Sequence, residues 1–381
     1  MKKHLLFILK CLALTVLVYG CIQPFAPPEV NNTDHFLVVD GFLNFGEDTT
    51  KITLSRTQNT TARTPFVMET GASVKVLGET GEIYPLKEQG KGKYFLAAKI
   101  TNQSVKYKLS IVTKNGSEYE SDFVKINKTP PIDSIGYKVD REKNEAVFFV
   151  NAHDSQNNTH FYRWKFEETW VYSTPFLSGL EVVGTTLQNK KIVDRTEAIN
   201  TCYRTLNSGS ILLGSTIRLS QDIIKELPLN HVPIASNKLY IKYSLLVRQY
   251  GLSQEEFEYW TSLAKTTQGT GSLFDPLPSQ VTGNIKNKKD PQELVFGFFS
   301  ATVEQKKRVF VTPGLGSYVI CTTDTLSVGC PPRREKECAL ETGSLLISYA
   351  DAFNSFVVVA EPTCVDCRLQ GGVLKKPSFW Q

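Results

Sequence analysis

Between residues 35 and 126 apolar side chains recur at every second position, in short runs cut by Gly, Asn, Asp and Ser. The runs are "HFLVVDGFLN" (35–44), "TKITLSRTQN" (50–59), "ASVKVLGE" (72–79), "EIYPLKEQGKGKYFLA" (82–97) and "VKYKLSIVTKNGSEYESDFVKI" (105–126). A period of two puts successive side chains on opposite faces of a strand, so each run has one face to bury and one to leave open. The "KNG" inside the last run is a hairpin turn signal. No helical period competes over this stretch. The pattern predicts an antiparallel, immunoglobulin-like β-sandwich over 35–128.

"NKTPPIDSIG" (127–136) then reads as a Pro-containing joint, and a larger β-rich domain is expected over 129–381. It opens with strands at 132–140, 144–154 and 160–172. The last of these alternates Tyr162 and Trp164 with charged residues, as the aromatic core strand of a fibronectin-like sandwich does. "SQDIIKEL" (220–227) reads as a short helix stopped by Pro228, and 238–252 as a central strand. The clearest helix is 253–268, where Ser253 and Glu256 form a capping box. Phe257, Trp260 and Ala264 share a face of it with Leu263 beside them, and core packing is the expected use of that face. "GSLFDPLPSQVTGNI" (271–285) is a turn-rich loop, 293–311 two strands around a polar turn, and 355–362 a last strand. The fold class is therefore mainly β, with one or two helices.

The N-terminus addresses the chain. Lys2 and Lys3 precede an apolar run over 5–18, too short and interrupted to span a bilayer comfortably. It ends in Val18-Tyr19-Gly20-Cys21, which resembles a bacterial lipobox, Tyr19 being an unusual residue at its place. The expectation is a lipoprotein signal peptide over 1–20 and acylation of Cys21, followed by a Pro-rich tether to residue 34. A plain signal peptide with an incidental cysteine is the competing reading. Two or three acyl chains on one residue hold a protein stably on a membrane, whereas one does so marginally. Lys2, Lys3 and Lys10 leave with the signal, which brings 43 basic residues close to balance with 38 acidic ones. The remaining basic residues are dispersed, which is no footprint for nucleic acid.

Export bears on the cysteines. Cys202, Cys321, Cys330, Cys338, Cys364 and Cys367 remain once Cys11 and Cys21 are set aside. The spacing of Cys364 and Cys367 suits half a zinc site, a redox pair or the ends of two structural disulfides. No second close pair stands at zinc-ribbon distance, and the pair runs from a strand into a Gly-rich turn instead of opening a helix. Structural disulfides are the expectation, with Cys330 and Cys338 candidates for closing a small loop.

In order along the chain, "CYRT" (202–205), "YSLLVRQYGLSQEEFEYW" (243–260), "GSLFDPLPSQVTGNI" (271–285), "VFGFFSA" (295–301) and "CVDCRLQGG" (364–372) resemble a domain-of-unknown-function lipoprotein family of Bacteroidota. "VVDGFLN" and "PPIDSI" extend the likeness over nearly the whole mature chain. Members are usually encoded beside TonB-dependent receptors. The resemblance implies an outer-membrane lipoprotein, on the periplasmic or the exterior face, working with such a receptor. It implies no catalytic residues.

Catalytic motifs are sparse. There is no Gly-x-Ser-x-Gly, no His-Glu-x-x-His and no phosphate loop. His153 and His160, with Asp154, fall short of a metal set and read as a hydrated loop. Asp133-Ser134-Ile135, Asp48-Thr49-Thr50 and Asp324-Thr325-Leu326 resemble the short O-glycosylation signal of Bacteroidota. Two function classes follow. One is a non-enzymatic binding or accessory protein for a TonB-dependent transporter in nutrient uptake, with no cofactor or metal and with Phe274 and Asp275 as candidate contacts. The other is an envelope hydrolase whose site is assembled from scattered residues.

Overall fold

The computed structural model describes residues 35–58, 67–186, 189–268, 281–316, 320–328 and 338–381. Cys21, Phe274, Asp275 and Cys330 lie outside them. The described chain is mainly β with one α-helix, α1 (Gln254–Thr267). The first strands are β1 (Leu37–Asn44), β2 (Lys51–Arg56), β3 (Ser73–Gly78), β4 (Ile83–Glu88), β5 (Lys93–Leu96), β6 (Tyr107–Val112), β7 (Glu118–Ser121) and β8 (Ile126–Asn127). Next come β9 (Ile132–Asp140), β10 (Glu145–Asp154), β11 (Phe161–Ser173), β12 (Leu180–Val183), β13 (Lys191–Asp194), β14 (Thr201–Asn207), β15 (Leu212–Ser215), β16 (Asp222–Pro233) and β17 (Lys242–Gly251). After α1 follow β18 (Ile285–Asn287), β19 (Val295–Phe296), β20 (Ala301–Thr302), β21 (Gln305–Val311), β22 (Thr323–Ser327), β23 (Leu345–Tyr349) and β24 (Phe356–Ala360).

The N-terminal strands form one continuous sheet ordered β18-β7-β6-β3-β4-β5-β2-β1-β20-β8, with β19 also on β1. The alternation read from sequence is the burial pattern: Leu37, Val39, Leu43, Ile52, Leu54, Val74, Val76 and Tyr107 turn into one core. The sequence reading assigns 285–302 to the C-terminal region, yet β18, β19 and β20 complete this N-terminal sheet. Ile285, Val295, Phe299 and Ala301 are buried in its core. β19 and β20 run parallel to β1, and β20 parallel to β8, in an otherwise antiparallel sheet. Gly297, at φ 124°, permits the approach, since a Cβ there would meet the Val39 carbonyl oxygen at 2.1 Å.

The second unit packs β16-β10-β9 against β14-β11-β17-β21, with β15 also on β11. Phe148 meets Tyr243 at 4.9 Å and Tyr137 at 5.4 Å between ring centroids, and Tyr162 stacks on Trp164. Trp164 is fully buried and donates its indole N–H to Gln249 Oε1 at 2.8 Å. The joint before this unit is pinned: Gln249 Nε2 donates to the Pro130 carbonyl at 2.8 Å, and the Gly251 amide to Thr129 Oγ1 at 2.8 Å.

One expectation fails here. Residues 220–227 are not a helix but the start of β16, antiparallel to β10. Asp222 is buried and accepts from the Tyr162 and Thr216 hydroxyls, which anchors the strand start. The two register shifts against β10 and the positive φ of Glu226 (49°) break the alternation, so the short run imitates a helical period. Pro228 is tolerated because β16 is an edge strand.

A third cluster joins the hairpin β12–β13 to β22-β24-β23. The chain end is tied back by two disulfides, Cys202–Cys367 and Cys321–Cys364, so Cys364 and Cys367 serve different bridges. Cys338 is also disulfide-bonded. The Tyr172 hydroxyl donates to the Cys367 carbonyl at 2.7 Å and fixes the same turn. The Cys202–Cys367 bridge spans 165 residues of sequence, so its loss relaxes a long loop in the unfolded chain. We expect Cys202→Ala to lower stability by about 2–5 kcal/mol in urea unfolding. Non-reducing peptide mapping is expected to recover the 202–367 and 321–364 pairs.

Candidate functional site

A cavity of about 1110 Å³ opens between the N-terminal sheet and the second unit. Its walls are the outward faces of strands whose other faces are core. On β1, Leu37, Val39 and Leu43 turn inward while Val38, Asp40 and Phe42 face the cavity. On β11, Tyr162 and Trp164 fill the aromatic core, and Arg163, Lys165 and Glu167 face the cavity. On β17, Leu245 and Val247 are core, and Arg248 and Tyr250 line the space. Helix α1 supplies Glu256, Tyr259, Trp260 and Leu263; the return segment, residues 285–302 that rejoin the N-terminal sheet, supplies Phe296, Phe298 and Ser300; and Glu304 follows just after it.

α1 is anchored at its start as expected on one side only. Ser253 Oγ accepts from the Glu256 amide at 3.2 Å, which satisfies a free N–H of the first turn. The Glu256 carboxylate does not complete a capping box. Its Oε1 instead accepts from Trp260 Nε1 at 3.2 Å and from Ser300 Oγ at 2.9 Å. This ties the helix to the return segment. The aromatic face does two things: Phe257 packs on Phe161 at 4.9 Å, while Trp260 and Leu263 form cavity wall.

Most cavity charges are matched. Arg248 donates to Asp48 Oδ2 at 2.8 Å and to Glu304 Oε1 at 3.1 Å, and the Tyr250 hydroxyl donates to the same Glu304 oxygen at 2.7 Å. Lys306, then Arg248, hold the Asp48 carboxyl down at about 2. Arg308 pairs with Glu167 at 2.8 Å. Arg163 and Lys165 differ: neither forms a hydrogen bond or ion pair among the described residues, and Arg163 Nε is buried without a partner. The Arg163 guanidinium carbon lies over the Trp260 ring, 3.4 Å from its centroid. Burial pushes both groups below their ordinary pKa, and for Lys165 the neighbouring Arg163 adds to the effect. Asp40 acts on both from β1 in the opposite sense, at a distance.

Glu256 is a further perturbed group of the cavity wall. Burial pushes it up to about 7, against the hydrogen bonds from Trp260 and Ser300. Arg163 favours its charged form but forms no ion pair with it. The neutral carboxyl is thus well populated near neutrality.

The other sequence candidates do not converge. His153 Nδ1 lies 2.8 Å from Asp133 Oδ2, whereas Asp154 accepts from the amides of Gln156, Asn158 and Thr159 and shapes a turn. No cluster of three or more His, Cys, Asp or Glu suited to a metal occurs among the described residues. Ser134 and Thr325 are exposed on edge strands, and Thr49 is exposed beside the cavity. Sequence reasoning missed Arg163, Lys165 and Glu256. The available signal was the charged half of "FYRWKFE", which reads as a solvated strand face unless a second unit covers it.

Because the folded pKa of Glu256 lies above its ordinary 4.5, the folded chain binds more protons than the unfolded one in between. The stability this group contributes is complete below about pH 4.5 and is lost as pH rises through about 7. Glu256→Gln keeps an acceptor for Trp260 and Ser300. It is expected to flatten a stability loss of up to about 3 kcal/mol over that range, measured by urea unfolding at stepped pH.

A comparison with curated proteins finds no match. A family pattern described as a domain of unknown function, DUF4249, matches residues 22–308. That span holds every cavity-lining residue, whereas β22–β24 and the "CVDCRLQGG" turn lie beyond it. The chain belongs to the DUF4249 family of domains of unknown function.

Proposed function

We propose that this protein is a non-enzymatic, lipid-anchored binding protein of the bacterial outer membrane, in which the cavity between the two β units captures a small molecule for a partner TonB-dependent transporter. The observation that carries the reading is the cavity itself. At about 1110 Å³ it is at or above the usual size for a drug-sized ligand, it is walled by aromatic rings, and it places a few polar groups at defined points. The remaining support is in sequence and chemistry. Val18-Tyr19-Gly20-Cys21 resembles a lipobox, the sequence of 21–34 is Pro-rich as a tether's would be, and disulfides accord with an oxidising compartment. No helix among the described residues is long and apolar enough to cross a membrane.

An enzymatic reading has one observation in its favour. Ser300 Oγ donates to Glu256 Oε1 at 2.9 Å in the cavity wall, and a carboxyl poised near 7 suits proton transfer. Ester turnover by the purified protein that disappears in Ser300→Ala would favour a hydrolase.

Two experiments test the binding reading. Cys21→Ser is expected to move the protein from the membrane to the soluble fraction and to abolish fatty-acid labelling. Alanine at Phe274 and Asp275 is expected to reduce copurification with a TonB-dependent receptor without changing the melting temperature, and unchanged copurification counts against that contact surface.

A further inference from the structure

We propose that the cavity is selective for an organic oxyanion, a small molecule with a carboxylate or phosphate head and a flat ring body, held by Arg163 and Lys165. The inference rests on the cavity's being a ligand site and goes further by naming the ligand's chemistry.

Arg163 and Lys165 are two positions apart on β11, so they project from the same face, roughly 7 Å apart. Like charges at that spacing, partly withdrawn from water, are costly unless an anion sits between them. Of the other cations lining the cavity, Arg248 has Asp48 and Glu304, and Lys51 is exposed to water. The nearby acids do not fill the gap for the remaining pair. Glu256 acts on Arg163 only at a distance: its Oε1 accepts from Trp260 and Ser300, its Oε2 is buried without a hydrogen-bond partner, and neither Glu256 nor Asp40 forms an ion pair with either cation among the described residues. A cation over an indole is stabilised by the negative face of the ring, which accounts for Arg163 in part. Lys165 has no ring and no carboxylate, and it is the residue that packing explains least.

The geometry also selects the head group. With Nε buried and one face covered by Trp260, Arg163 presents its remaining N–H edge to the cavity. Two parallel N–H groups match the two oxygens of a carboxylate or phosphate, and Lys165 adds a point charge. The body of the ligand is set by the aromatic walls. Tyr259 and Phe298 lie 5.5 Å apart by ring centroid, and Phe42 meets Tyr250 edge-on at 5.2 Å. These rings offer flat, apolar surface on either side of the cations.

The test uses one ring with three head groups: 2-naphthoate, 2-naphthyl phosphate and the neutral 2-naphthamide, titrated into the whole soluble chain by quenching of tryptophan fluorescence. At least one oxyanion is expected to bind at least 10-fold more tightly than the amide. Arg163→Met and, separately, Lys165→Met are each expected to remove that advantage while leaving the amide's affinity within about 2-fold. Lys87→Met, on the exposed side of β4, is expected to change nothing. Unaltered melting temperatures establish that the variants are folded, and Lys165→Met serves alone should Arg163→Met fail to fold. Equal affinity for all three probes overturns the anion assignment but leaves the cavity a ligand site. So does an oxyanion preference that survives both substitutions. Binding of none of the three overturns the cavity reading and this inference with it.

Discussion

The return of residues 285–302 to the N-terminal sheet is the contact on which the rest of the molecule depends. The amides of Leu43 and Phe45 donate to the carbonyls of Ser300 and Thr302 at 2.8 and 2.9 Å, so β1 gains a parallel neighbour from a distant part of the chain. The same segment touches the second unit. Ser300 holds Glu256 of α1, Glu304 holds Arg248 and Tyr250 of β17, and Thr302 Oγ1 donates to the Gly251 carbonyl at 3.1 Å. These ties add to the direct contacts of Asp48 with Arg248 and Lys306 and of Phe42 with Tyr250, so the sheet is fastened to the second unit at several points around the cavity. The cavity exists because the two units are held at that separation.

Within this frame β11 is the strand with two duties. Its even-numbered residues Tyr162 and Trp164 lie in the centre of an aromatic core, which fixes the strand's rotation. The pleat then leaves Arg163 and Lys165 no choice of side. A one-residue slip would put a guanidinium into the aromatic core and Trp164 into the cavity, so packing on one face sets the register of the charges on the other. β1 and β17 repeat the arrangement with Val39 against Asp40 and Val247 against Arg248. The binding surface is thus the reverse side of the two cores.

Much of the fold was legible because alternation is a local signal. Strands β1 to β11 and β17 fall close to the runs read from sequence, and Ser253 marked the start of α1 within a residue. The misreadings have a common physical origin. At 220–227 a bulged edge strand lost its period of two, and a burial pattern over eight residues cannot separate that from a helical turn. The membership of 285–302 in the first sheet was not legible, since short pieces such as β19 and β20 take their pairing from tertiary contact and carry almost no pattern of their own. The cavity was hidden for the same reason. Arg163 and Lys165 look like a solvated face until the first unit is laid across them, and Glu256 looks like a cap until Ser300 is brought to it. An even number of cysteines pointed to disulfides, and Cys202, Cys321, Cys338, Cys364 and Cys367 are bonded, whereas the pairing of Cys364 and Cys367 with different partners needed the fold.

Native-state hydrogen exchange at the Leu43 and Phe45 amides tests the central claim, that the return segment locks a preformed cavity between the units. The account predicts that both exchange as slowly as the amide of Leu54, which is bonded to the Gly92 carbonyl deep in the same sheet. Exchange at Leu43 and Phe45 orders of magnitude faster than at Leu54 would show that 285–302 detaches readily, and that the cavity is not a standing feature of the protein.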